Sequence, residues 1–161
     1  MGNDIPRYQP AAPLPVTPYW PGVNHKDSEF HILPRQSARH WSEDSGYLHG
    51  VDLFNHGCYW EAHEAWEDLW LPLPKEDLLR VFTQGLIQAS AALLKIRLQQ
   101  PRPAESIWSR GKSRLLKVDS RQNDSLYRGV HILQFCKRID QIIEGRNPHF
   151  ESPLIRLKEL E

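Results

Sequence analysis

The stretch HGCYWEAHEAWEDLW, residues 56–70, decides how this chain is read. It packs two histidines, four acids and three tryptophans into fifteen positions. Residues three or four apart share a face of a helix. Trp60, His63, Glu67 and Trp70 then make one stripe, and Tyr59, Ala62, Trp66 and Leu69 make a second. Glu61, Glu64 and Asp68 fall between or outside them. Gly57 punctuates the start, and Pro72 and Pro74 close the end, so the spacing predicts a helix over 59–71.

Working outward, the helical period continues on both sides. SEDSGYLHGVDLFN, from Ser42, has a Ser/Asp start and apolar Tyr47, Leu48, Val51, Leu53 and Phe54 at helical spacing. Asn55-His56-Gly57 reads as its stop, with Gly57 suited to the left-handed conformation at a helix end. Residues 75–100 predict a long helix with a stripe of Leu78, Phe82, Leu86, Ala89, Leu93 and Ile96. A fourth helix over 103–118 opens on proline, with Trp108, Leu115 and Leu116 turned inward. A fifth spans 123–145, capped by Asp124 and striped by Leu126, Val130, Leu133, Cys136, Ile139 and Ile143. No strong period-two alternation appears after residue 42. The expected fold class is all-α: a bundle of about five helices preceded by a proline-rich extended N-terminal arm.

That arm covers 1–41, the helical domain 42–147, and a C-terminal tail 148–161. Seven of the thirteen prolines lie at or before Pro34, where they disfavour helix. Tyr8, Tyr19, Trp20, Phe30 and Ile32 stand among them. Disordered segments are poor in such residues, so the arm is expected to lie ordered across the body.

Lys plus Arg equals Asp plus Glu, at twenty each, which argues against a general affinity for nucleic acid. Cys58 and Cys136 are too few for a disulfide framework and read as buried free thiols of a reducing compartment. No apolar run approaches the roughly 20 residues of a membrane span. The first residues lack the pattern of a secretory signal, and Pro6 stands where a myristoylation signal needs Ser or Thr. A cytoplasmic protein with no membrane partner is expected.

His63 and Glu67, one turn apart, suit two chemistries. Both can ligate a divalent metal such as zinc, manganese or iron. Alternatively, the carboxylate orients the imidazole as a general base, and flanking indoles lower the local dielectric. HEAWE departs from the zinc-protease pattern H-E-x-x-H because Glu67 occupies the second histidine's place. A di-iron bundle needs E-x-x-H on two helices, and neither is present. A bland reading competes: a buried His bonded to a Glu is a satisfied polar pair, and tryptophans at helical spacing are usually core.

FNHGCYWEAHEAWEDLW followed by FTQGLIQASAALLKI resembles the bacterial and archaeal family called domain of unknown function 309. That family is recognised by H-x-x-x-E-x-x-W/Y, matched here by His63, Glu67 and Trp70. Phe82 to Gln88 is similar to the family's next helix, and Glu64 beside His63 fits its usual AHE. The resemblance covers about 44–118 well, the last helix loosely and the arm least. It implies a small all-helical fold and a motif suspected of metal binding, with no established reaction.

His63 and Glu67 are therefore the candidate catalytic and metal-ligating residues of a polar pocket that takes a small molecule or metal ion, with hydrolysis as the candidate reaction. Glu64, Gln84 and Gln88 are second-tier candidates, since the two glutamine amides one turn apart can donate to Glu67 or a ligand. Gly85 between them would let the second and third helices approach closely. His49 and His56 precede His63 at intervals of seven, and His25, His31 and His40 read as surface residues. The alternative is a non-enzymatic adaptor. Gly50, Gly57, Tyr59, Ala62 and Pro74 resemble one tetratricopeptide-type hairpin, whose groove would bind a partner peptide. An adaptor needs an exposed apolar groove; a chemical site needs His63 and Glu67 on an accessible pocket.

Overall fold

The computed structural model describes residues 4–34, 36, 38–121 and 126–158. A 3₁₀ turn at Trp41–Glu43 leads into α1 (Ser45–Asn55), α2 (Tyr59–Trp70), α3 (Leu78–Arg97) and α4 (Pro101–Ser120). A small antiparallel hairpin, β1 (Leu126–Tyr127) and β2 (Val130–His131), precedes α5 (Ile132–Gly145). Each helix packs on the next in the chain, and α3 also touches α5. The described body is thus helical apart from one hairpin.

Local chemistry sets the helix ends. Asp44 caps α1 by accepting from the Tyr47 amide at 3.2 Å, and Asp77 caps α3 by accepting from Leu79 at 2.9 Å. Gly57 ends α1 at φ +74°, and the Cys58 and Gly57 amides reach back to the Leu53 and Phe54 carbonyls. This pair of bonds satisfies carbonyls the helix end would leave bare. Arg80 serves the far end of α2: its guanidinium donates to the Trp70, Leu71 and Leu73 carbonyls and lies 4.0 Å from the Trp70 ring.

The core runs through all five helices. Trp66 is fully buried, its indole N–H donating to the Tyr47 carbonyl at 3.3 Å. Its ring lies against Gly50, where any side chain would collide with it. The stripe Tyr59, Ala62, Trp66 and Leu69 is buried throughout, while Trp60, His63, Glu67 and Trp70 are half-exposed.

Three expectations are corrected. The segment 126–131 is a hairpin, because Arg128 and Gly129 both take positive φ, 48° and 80°, as a two-residue type I′ turn requires. The Asp44 carboxylate holds Arg128 at 2.9 Å, and Tyr47 donates its hydroxyl to the Arg128 carbonyl at 2.8 Å. The cap of α5 is His131, which accepts from the Gln134 amide at 3.2 Å; Asp124 lies outside the described residues. Leu116 and Leu133 do not face inward, being 38% and 46% exposed, and Ile132 takes Leu133's place in the core.

The described parts of the arm and of the tail lie on the helices. Asp52 of α1, fully buried, accepts from the Tyr8 amide at 2.7 Å, the Gln9 amide at 2.8 Å and Arg7 Nε at 3.2 Å. Glu61 of α2 accepts from the Tyr19 amide at 3.0 Å. The segment after α5 is held by Asn55, which exchanges two bonds with Ile155, and by Arg97, which donates to the Pro148 and Phe150 carbonyls. Tyr8 Oη accepts from the Leu157 amide at 2.9 Å, so arm and tail meet.

Candidate functional site

His63 and Glu67 occupy successive turns of α2, with His63 Nε2 3.0 Å from Glu67 Oε1. The ring's other nitrogen, Nδ1, lies 3.0 Å from the Trp60 carbonyl. Both nitrogens therefore face oxygens. The Trp60 ring meets the imidazole edge to face at 5.0 Å, so the ring is fixed from three directions. The His63 side chain is 21% exposed and that of Glu67 43%, so the pair is reached by solvent.

His63 borders a cleft of about 270 Å³. Tyr59, Trp60, Ala91, Leu94 and Leu98 make its walls, and Pro21 of the arm forms one side. Lys95 and Gln100, joined by a 3.1 Å bond, stand on its border. The arrangement is a mostly apolar slot with an oriented imidazole on its wall. Such slots hold small molecules through apolar contact and fix them through a few polar groups.

The other candidates lie elsewhere. Gln88 accepts from Arg114 of α4 at 2.8 Å, and its Cβ is close to Gly111. A side chain at Gly85 would strike Leu115, so this glycine admits α4 and not α2. Gln84, one turn from Gln88, is half-exposed and borders no part of the His63 cleft. Glu64 lines a separate cavity beneath the arm, together with Glu61 and His31. His49 is buried under the arm, with Nε2 3.4 Å from the Pro13 carbonyl and Nδ1 without a partner among the described residues. Burial lowers its pKa from the ordinary value, against the pull of Asp52. His56 bonds the Asp52 carbonyl at 2.8 Å and His40 caps the 3₁₀ turn, while His25 is exposed.

Sequence reasoning missed Asp52, Asn55, Glu61 and Arg97, the side chains that hold arm and tail. Most of their partners are backbone groups, up to 100 residues away, which carry no side-chain signature. Among the described residues no three His, Cys, Asp or Glu side chains converge as metal ligands. None of the described helices is long and apolar enough to cross a membrane.

Neither the curated proteins nor the solved structures hold a significant match to the chain. A family model described as a domain of unknown function, DUF309, matches residues 47–107, from the first turn of α1 into α4. That match covers 61 of the 161 residues and takes in α2 and α3, which carry Trp66, the His63–Glu67 pair and most of the cleft wall.

Proposed function

We propose that the His63–Glu67 face is a small-molecule site that performs proton-transfer chemistry, hydrolysis being the simplest reaction, on a mostly apolar substrate lying in the adjoining cleft. One observation carries this reading: an imidazole with both nitrogens held, by Glu67 at 3.0 Å and the Trp60 carbonyl at 3.0 Å, borders an apolar slot. To pass a proton to a substrate oxygen the ring must release one of these bonds, and Nε2, which faces the half-exposed Glu67 carboxylate, is the nitrogen placed to trade that partner for a substrate. The apolar walls of the slot and the Trp60 ring lower the local dielectric on one side of the imidazole, which strengthens both interactions.

A divalent metal is the second reading, favoured by the 3.0 Å separation of nitrogen and oxygen, which suits two neighbouring positions around one ion. His63 and Glu67 would be its two protein ligands. Catalytic zinc usually has three, so water or substrate would complete the set. A partner-peptide adaptor has less support, because the chain's own arm and tail lie across α1 and α2.

The test is turnover of p-nitrophenyl butyrate by the full chain. We expect His63→Ala to lower the rate at least about 100-fold and Glu67→Gln about tenfold, with the fold intact by circular dichroism. Equal rates for wild type and His63→Ala would remove the proton-transfer reading. Calorimetric titration with Zn²⁺ and Mn²⁺ tests the metal, and binding of the same strength by His63→Ala would remove it.

A further inference from the structure

A second cavity, of about 220 Å³, lies between the arm and α2 and shares the Trp60 ring with the His63 cleft. Its charged lining is Lys26 and Asp27 from the arm and Glu61 and Glu64 from α2. Three carboxylates thus face one ammonium. Asp27 is engaged by the Glu29 and Val16 amides, which leaves the two glutamates of α2 as the main source of negative potential.

Glu61 is the unusual member. Only 4% of it is exposed, and while Oε2 accepts from the Tyr19 amide, Oε1 is buried without a hydrogen-bond partner among the described residues. A buried carboxylate oxygen left bare is costly and calls for a cation or donor. Burial pushes the Glu61 carboxyl above its ordinary value; the Tyr19 amide and Glu61's own amide oppose this, the Glu64 charge adds to it, and Lys26 opposes it least.

The aromatic part of the lining points to the same ligand chemistry. Tyr19 and Trp60 meet edge to face, with ring centres 5.2 Å apart. The Lys26 ammonium stands 5.3 Å from the Tyr19 centre and 5.2 Å from the Trp60 centre. Two ring faces flank one nitrogen, and the Glu61 and Glu64 carboxylates line the same cavity, which together make an aromatic cage of negative potential for an ammonium group. Lys26 is itself an exposed residue whose head reaches the cage at the end of a flexible stem, so it can leave.

We propose that this cavity recognises a small alkylammonium ion and that Lys26 is its intramolecular occupant, which an arriving ligand displaces. Binding is then weakened by the fraction of time Lys26 fills the cage. The site is independent of the proton-transfer reading, since only Trp60 is common to both.

The experiment titrates the full chain with tetramethylammonium chloride, with sodium chloride at matched ionic strength as control. The readouts are tryptophan fluorescence and the amide shifts of Tyr19 and Glu61. Saturable binding is expected, tightening about tenfold in Lys26→Ala as the competitor is removed. Adding Glu61→Gln to Lys26→Ala should reverse that gain, with the Tyr19 amide still protected. Lys26→Met, which keeps the aliphatic stem, repeats the measurement should the alanine variant loosen the arm. Lack of saturation in both lysine variants, an equal response to sodium, or binding indifferent to Glu61→Gln would each overturn the proposal.

Discussion

Trp66 and His63 sit three positions apart on one helix and have opposite fates. Trp66 faces Gly50, so its indole fills the seam between α1 and α2, and its N–H is met by the Tyr47 carbonyl. Trp66→Ala is expected to cost about 3–5 kcal/mol, the range for large aromatic truncations in a core. Urea unfolding followed by circular dichroism checks this; an unchanged midpoint would mean that the seam closes without the indole. His63, on the neighbouring stripe, meets solvent. Its adjacency to Glu67 is legible in the sequence because one turn of helix brings i and i+4 together whatever surrounds them. The position of Gln88 is not legible in that way, since it depends on how α3 is rotated. Gly85 and Gly111 set that rotation by letting α3 and α4 come close, and this turns Gln88 toward Arg114.

At the scale of elements, the helices were readable from period, capping acids and proline stops. The hairpin was not: Leu126, Val130 and Leu133 keep helical spacing, and Arg128 lacks the Asn or Asp that usually announces a type I′ turn. What fixes it is distant, the Asp44–Arg128 pair and the Tyr47 hydroxyl. Leu116 and Leu133 show the same limit, because a 3.6-residue period cannot tell which of two adjacent apolar residues enters the core. The arm's fastening was equally hidden, resting on the Asp52 and Glu61 carboxylates, three main-chain amides and the Arg7 guanidinium. Asp52→Ala should therefore free the arm, at a cost of about 2–4 kcal/mol for the lost bonds to a charged acceptor. Amide exchange at Tyr8 and Gln9 should rise far more than exchange in α3. Equal protection in the variant would show that the aromatic contacts alone hold the arm.

For the molecule as a whole, stability should depend on pH through His49. Burial lowers its pKa below the ordinary 6.5, so the folded protein keeps the ring neutral where the unfolded chain protonates it. The unfolded state then binds more protons below about pH 6.5, and stability falls as pH drops toward the folded value. Urea midpoints at pH 7.5 and pH 5 should thus differ more for wild type than for His49→Gln. An identical pH response in the two would assign the effect to other groups. The Tyr8–Leu157 contact has a different consequence, one of timing. It joins positions 149 residues apart, so during synthesis the helices can assemble while the early segment still waits for its last hydrogen bond. The Tyr8 hydroxyl therefore finds its partner only after Asp52 and Glu61 have had the chance to take the Tyr8, Gln9 and Tyr19 amides, so the joining of arm to tail is the last of the arm's fastenings.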